Sequence, residues 1–346
     1  MNKIAWQAQR ISRREWLIGA VGSVSGALLL SCDSSSTSST TTSAQKKAVL
    51  ALVKGLQDDA FYTTMQKGAQ AKANELNATL LVAGPTRFDA RLQIPLVNAM
   101  IAKKVDAIMI AACDKVALIE PLKRAYDAGI KVISVDTFIG DGNYTDGPVT
   151  FPLSYIGSDN VEGGKIAGIA LIKAIGGKGK IYIQNVRTSI STNEQREQGC
   201  REAIQATNGA VTLIGVEYDN DSSAIAMQQT TAVLQRVSDL AGVFGTNTFS
   251  AEGAAQAIKN ANKQGIIQVA SFDAPEEAIV DLRNGVIDLV IAQKPADIGR
   301  TAVDYAVKAL NGETSSLHKR VITGYVIIDN TNVNTPEAQD AIYKNQ

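Results

Sequence analysis

"VLALVKGLQDDAFYTTMQKGAQ", residues 49–70, opens with five apolar residues, halts at Lys54 and Gly55, and then sets two carboxylates, Asp58 and Asp59, before two aromatics, Phe61 and Tyr62. A short apolar run that stops at a glycine reads as a buried strand. Beyond it the pattern turns helical, and the dipole at the N-terminus of that helix favours the negative charge of Asp58 and Asp59. The stretch is therefore a strand, a turn and a helix, with Phe61 and Tyr62 as the first core anchors of the helix.

The same alternation continues along the chain. "ATLLVAG" leads to "DARLQIPLVNAMIAKK", "VDAIMIAA" leads to "VALIEPLKRAYDAG", and "IKVISVD" closes a first set. A second set has the strands "KIYIQN", "VTLIGVEY", "LAGVFGTN", "IIQVASFD" and "IDLVIAQ". Between them lie the helices "NEQREQGCREAIQAT", "AIAMQQTTAVLQRV", "AEGAAQAIKNANKQG" and "APEEAIVDLRNG". This is the signature of βαβ units and parallel sheets. Pro95 and Pro121 are expected near the starts of their helices, where proline is tolerated. The fold class is α/β, with two similar doubly wound parallel-sheet lobes.

Open sheets of this kind bind ligands beyond the carboxyl ends of their strands, so polar residues there are the candidates. They are Lys54, Asp58 or Asp59, and Asp136 in the first half, then Asn185, Asn247, Asp273 and Gln293 in the second. Each alone reads more readily as a helix cap or turn residue than as a ligand contact. Their recurrence in both halves favours a shared site.

Bulk composition narrows the function classes. The 346 residues are 45% hydrophobic and 20% charged, enough to bury a sizeable core in two lobes. Formal charge is zero, and no Lys/Arg block appears beyond the first residues, which removes the electrostatic footprint of a nucleic-acid binder. The single histidine, His318, sits in polar "SSLHKR" and rules out a multi-histidine metal site. "IGGKGK", residues 175–180, lacks the spacing of a phosphate-cradling loop, no G-x-G-x-x-G comes after the first strand, and no cysteine pair has zinc-site spacing. No cofactor is expected, and binding is a simpler reading than catalysis.

Residues 1–31 read as an export signal, with a basic start, an apolar stretch from Trp16 to Leu30, and Ser31 before Cys32. "SRREWL" resembles the twin-arginine export motif and "LLSC" a bacterial lipobox, which would make Cys32 the lipidated first residue of the mature protein. Residues 32–45, rich in Ser and Thr, form a solvated tether. Removing 1–31 takes four basic residues and one acid from 34 of each, leaving 30 against 33, about −3. Cys113 and Cys200 fall in different halves, so a disulfide between them is not favoured.

"SYIGSDNVEGGKIAG", residues 154–168, together with "VISVDT", "VFGTN", "SFDAPEE" and "IAQKPADIG", resembles the type I periplasmic sugar-binding proteins, the ribose- and allose-binding branch of ABC-transporter solute receptors. The likeness runs from about Lys47 to Val333. It implies two lobes joined by three crossover strands that close over a monosaccharide. The crossovers are expected near Gly157 to Asp159, Gln293 to Pro295 and Val321 to Tyr325. The N-terminal lobe is then 46–157 with 294–322, and the C-terminal lobe 158–293 with 323–346. "STNEQREQGC" resembles the family segment whose arginine reaches the sugar, which places Arg196 in the pocket. Asp136, Asn247, Asp273 and Gln293 match sugar-contacting positions.

By the same resemblance Phe61 and Tyr62 press apolar faces on the sugar's C–H surface, while Lys54 and one of Asp58 and Asp59 take hydroxyls. "QDDAFY" replaces the family's Asn-Pro-aromatic arrangement and carries one residue more, so either aspartate is a candidate for the inward acid. Thr137 comes after Asp136 where ribose-type members have an arginine, which removes a bidentate donor from the pocket. Ala111 and Thr248 also stand where other members carry different polar residues. The pocket is not expected to be tuned for ribose.

The resulting expectation is an exported, lipid-anchored, monomeric receptor that binds a small neutral sugar or polyol and delivers it to the permease subunits of an ABC transporter. Sugar-responsive repressors share the core fold but begin with a DNA-binding helix-turn-helix, where this chain has an export signal. A receptor for a sugar alcohol or a furanose-like signalling molecule is the alternative within the binding class. An exported α/β enzyme is the alternative outside it.

Overall fold

The computed structural model describes residues 47–344. The export signal, Cys32 and the Ser/Thr tether lie outside the described residues. Two six-stranded sheets organise the chain. The first has the order β11 (Arg320–Thr323), β5 (Tyr155–Ser158), β4 (Lys131–Val135), β3 (Ala107–Ile110), β1 (Val49–Val53) and β2 (Thr79–Ala83), with every pairing parallel. The second repeats it as β12 (Val326–Asp329), β10 (Leu289–Ala292), β9 (Gln268–Phe272), β8 (Leu240–Gly245), β6 (Gly179–Asn185) and β7 (Val211–Tyr218). Only β12 runs antiparallel, against β10. Central strands such as β3 and β10 are buried along their whole length, as strands covered by helices on both faces must be.

The strand order reverses direction between β1 and β3 in the first sheet and between β6 and β8 in the second. Such switch points open a crevice at the carboxyl ends of the strands. The chain passes between the sheets three times. After β5 it continues into α4 (Asn160–Ala174), which packs on β8 and β9. After β10 it enters α9 (Pro295–Leu310), which packs on β4 and β5, and after β11 it goes directly into β12. The result is two α/β lobes of the type I periplasmic binding protein fold, joined by three crossovers.

Each lobe has a helix pair beside the cleft packed through glycines at backbone contact distance. In the first, α1 (Ala60–Glu75) meets α9, where a Cβ on Gly68 would lie 2.1 Å from the Ala296 carbonyl oxygen and one on Gly299 2.1 Å from that of Met65. In the second, α4 meets α5 (Ser191–Gln205), where a Cβ on Gly164 would lie 2.0 Å from the Arg196 carbonyl oxygen and one on Gly199 1.9 Å from that of Val161. Only glycine permits such approaches. The two pairs seat α1 and α5, the helices whose first turns carry Tyr62 and lead to Arg196.

The structure corrects one of the two proline expectations. Pro95 is the sixth residue of α2 (Ala90–Ala102), past the first turn, and so removes one internal helix hydrogen bond. It lies on the exposed face, where water can satisfy the freed Arg91 carbonyl. Pro121, the third residue of α3 (Ile119–Asp127), does sit in the first turn. Cys113 and Cys200 are both buried free thiols.

Candidate ligand-binding site

The carboxyl ends of the two sheets line one cavity between the lobes. From the first lobe, the β1–α1 loop ends in Asp59, the N-cap of α1, whose Oδ1 accepts the Tyr62 N–H at 3.1 Å. The Phe61 and Tyr62 rings meet edge to face, with centroids 5.2 Å apart. Both rings line the cavity, and the Tyr62 hydroxyl donates to Asp136 Oδ2 at 2.8 Å. Asp136 comes directly after β4 with φ at +60°, and the Thr137 N–H bonds the Val135 carbonyl across it, which makes a γ-turn. Such left-handed backbone is sparsely populated outside glycine, and aspartate is among the residues that tolerate it.

Burial sets the protonation of these groups. Desolvation pushes the Asp136 carboxyl up to about 7, against the Arg196 charge and the Tyr62 hydrogen bond, which act to lower it. Asp59 is also pushed up to about 7, by burial first, with the Asp273 and Asp221 charges adding to the shift while the Tyr62 and Phe61 N–H groups oppose it. Burial drives the Tyr62 phenol well above its ordinary range, so it acts as a donor.

The second lobe contributes a connected network. On α5, Arg196 donates from Nε to Asn160 Oδ1 and from Nη1 to the Thr246 carbonyl, both at 2.9 Å, and its guanidinium lies 3.8 Å over the Phe272 ring. Neither bond uses Nη2. Nη1 is also 3.6 Å from Asp273 Oδ2. Asp273 comes directly after β9 with φ at +74°, and its Oδ1 accepts Gln293 Nε2 at 2.7 Å and the Tyr343 hydroxyl at 3.1 Å. Gln293 thus turns its amide nitrogen to Asp273. That leaves Gln293 Oε1 buried without a protein partner at the cavity. Asn247 caps α7 (Thr248–Asn260), accepting Ser250 N–H and donating to Asp221 Oδ1 at 2.7 Å.

The structure thus brings Asp59, Phe61, Tyr62, Asp136, Arg196, Asn247, Asp273 and Gln293 around one cavity. Three other candidates lie apart from it. Lys54 Nζ folds under its own loop, donating to the Gln57 carbonyl at 2.6 Å and to Gln66 Oε1 at 3.1 Å. Asp58 is exposed, because the residue added in "QDDAFY" gives the capping position to Asp59. Thr137 is turned back by the γ-turn and donates to the Ala112 carbonyl at 2.9 Å. Asn185, also at a strand end, is used behind the site, donating to Glu197 and accepting from the Thr246 hydroxyl.

Sequence reasoning passed over Asn193, Asp221, Phe88 and Tyr343, all of which line the cavity. Asp221 lies three residues beyond β7, so the strand-end rule would have found it. Asn193 is one turn before Arg196 on α5. Phe88 and Tyr343 leave no local signal. Among the described residues, no group of three or more His, Cys, Asp or Glu is placed to hold a metal ion.

The lobes also touch directly at the cleft, away from the crossovers. Lys115 forms an ion pair with Glu194, and its N–H bonds the Ser189 carbonyl at 3.0 Å. Arg187 Nη2 donates to the carbonyls of Phe88 and Cys113 at 3.0 and 2.9 Å, and the Phe138 N–H to Ser191 Oγ at 3.0 Å. The structure is the closed arrangement of a hinged pair of lobes.

The same architecture is found in known proteins. A solute binding protein of an ABC transporter from Agrobacterium vitis, solved with bound α-D-tagatopyranose, superposes with a TM-score of 0.83 at 44% identity, covering 86% of this chain and all of that one. A second from the same organism, with bound D-fucose, gives 0.79 at 28% identity over the same shares. The D-allose-binding periplasmic protein of Escherichia coli is 28% identical over 264 residues, covering 76% of this chain and 84% of the relative. These relatives bind solutes and are not enzymes. The model of the periplasmic binding protein domain matches residues 50–314, and the chain belongs to that family.

Proposed function

We propose that the interlobe cavity binds a monosaccharide in its pyranose form, a ketohexose such as D-tagatose first among the candidates, and that the closed protein presents it to an ABC-transporter permease. The observation that carries this reading is the make-up of the cavity wall. It combines carboxylates and an unpartnered buried amide oxygen, which accept from hydroxyls, with the Arg196 guanidinium, which donates, and the flat rings of Phe61 and Tyr62. A sugar offers hydroxyls around its rim and C–H groups on its faces, and burying those hydroxyls unpaired would cost free energy. The 44% identity to a tagatopyranose-bound protein supports the ketohexose. In this reading the protein works outside the cytoplasmic membrane as a monomer. It is exported through the twin-arginine motif and held by a lipid on Cys32.

Melting curves of the purified protein, unfolded and refolded to strip carried ligand, test the proposal. The panel is D-tagatose, D-fucose, D-allose, D-ribose and sugar alcohols, with amino acids and nucleotides as controls. A sugar at about a hundred times its dissociation constant stabilises by roughly 2.7 kcal/mol, and at about 2–4 °C per kcal/mol the midpoint rises by several degrees. No shift with any sugar, or a shift with controls alone, refutes the proposal.

A further inference from the structure

Residues 336–344 reach the site. After β12 the backbone forms the short helix α10 (Pro336–Asp340) and then pairs alongside Pro275, with the Tyr343 N–H bonded to the Ala274 carbonyl at 2.9 Å. Tyr343 is 1% exposed. Its hydroxyl accepts the Gln293 backbone N–H at 2.7 Å and donates to Asp273 Oδ1 at 3.1 Å. Its ring stands edge to face with Phe61 of the first lobe, centroids 5.7 Å apart. Lys67 of α1 reaches the Lys344 carbonyl at 2.9 Å.

We infer that this C-terminal segment is a working strap of the binding site, in which Tyr343 positions Gln293 and Asp273 and braces Phe61 of the opposite lobe. Donor and acceptor counts lead to it. Asp273 Oδ1 takes two donors, Gln293 Nε2 and the Tyr343 hydroxyl, so its rotamer is held from two sides. Gln293 is held at its backbone by Tyr343 and at its amide nitrogen by Asp273. That leaves Oε1 as the one acceptor of the amide without a protein partner, on a residue that lines the cavity. A side chain held in this way loses little freedom when a hydroxyl arrives. Because the ring also touches Phe61, the strap spans both lobes on the crossover side, and closure over a ligand must tighten it.

The inference rests on the sugar-binding reading, so the wild-type protein is tested first with the same sugar panel. If no sugar binds, that reading fails and this one falls with it. With a binding sugar in hand, D-tagatose as the first probe, Tyr343→Phe keeps the ring and removes the hydroxyl. Calorimetry should show affinity lowered at least tenfold. Affinity within twofold of wild type overturns the positioning role, while sugar binding itself stands. Hydrogen exchange of the unmutated chain supplies a readout independent of folding defects. Peptides spanning 336–344 should exchange more slowly at saturating D-tagatose, by at least tenfold at the Tyr343 amide. Unchanged exchange there, with protection gained around Arg196 and Asp136, would show the strap to be structural only.

Discussion

At the first sheet's edge the groups facing the cleft are Asp59, Phe61, Tyr62 and Asp136, and the one hydrogen bond between their side chains runs from Tyr62 to Asp136. At the second edge Arg196, Asp273, Gln293 and Tyr343 form one connected network, and Asn247 and Asp221 form a bonded pair beside it. The strand order is the same in both lobes. The difference lies in the residues placed just beyond each strand. The first lobe sets apolar rings there with two acids pushed towards neutrality, whereas the second sets a guanidinium already clamped by Asn160, the Thr246 carbonyl and the Phe272 ring. A repeated fold thus divides the labour of recognition unequally. One edge is pre-set for polar readout, and the other supplies the stacking surface and acids whose charge depends on what binds.

The sharpest way to break this comparison is to remove one anchor from each edge. Arg196→Ala leaves the half-buried Asp273 without the positive charge 3.6 Å away and removes the cavity's guanidinium. A hydrogen bond to a charged group is worth about 1.5–3 kcal/mol, so affinity for the bound sugar should fall by up to about a hundredfold by calorimetry. Tyr62→Phe removes one neutral donor to Asp136 and should lower affinity only about tenfold. Equal losses in the two variants would mean that the edges share the work evenly.

Legibility in the sequence splits along the same divide. Alternating apolar runs and helical-period stretches reached nine of the twelve strands, because these depend on local spacing, whereas β5, β11 and β12 at the crossovers were reached only through the resemblance. The strand-end rule reached Asp136, Asn247, Asp273 and Gln293, since their roles come from their place after a strand. It also named Lys54, whose long side chain folds back under its own loop, and Asn185, which is used behind the site, because rotamer and hydrogen-bond partner are not set by position. Resemblance left Asp58 and Asp59 equivalent, and only the cap hydrogen bond to the Tyr62 N–H separates them. Tyr343 was out of reach of any local pattern. It joins the site through pairing with a loop some 70 residues earlier in the chain.

The acids of the first edge sharpen the comparison through pH. Asp136, faced by Tyr62, Arg196 and Asp273, and Asp59, faced by Asp273 and Asp221, both titrate at about 7 in the unliganded fold, above their ordinary 3.8. The folded state therefore binds more protons than the unfolded chain between about pH 4 and 7, and the stability these groups contribute falls as pH rises through that window. A sugar acts with the opposite sign. Its hydroxyls donate best to ionised carboxylates, so binding lowers both values and releases protons. Affinity should climb from pH 5.5 and level off above about pH 8, by up to roughly tenfold per pH unit for each fully coupled acid. Calorimetry at several pH values, in buffers of different ionisation enthalpy, reads both the slope and the protons released. An affinity that is flat from pH 5.5 to 8.5 would show that ligands do not touch these carboxylates.

The smallest expected effect tests how finely the first edge is drawn. Asp58 and Asp59 are neighbours of identical chemistry, yet Asp59 caps α1 and lines the cavity while Asp58 is exposed on the loop. Water screens an exposed carboxylate, so its charge contributes little at the distance of the cleft. Asp58→Asn should therefore leave sugar affinity within about twofold and the melting midpoint within a degree or so, as surface substitutions usually do. Asp59→Asn keeps the helix cap, since asparagine caps as well as aspartate, but it takes an ionisable acceptor out of the cleft wall, and should lower affinity while leaving stability at or slightly above that of wild type. If the outcomes were reversed, Asp58 would be the acid that reaches the ligand. The β1–α1 loop would then have to adopt another conformation on binding, and the first edge would be the mobile half of the site.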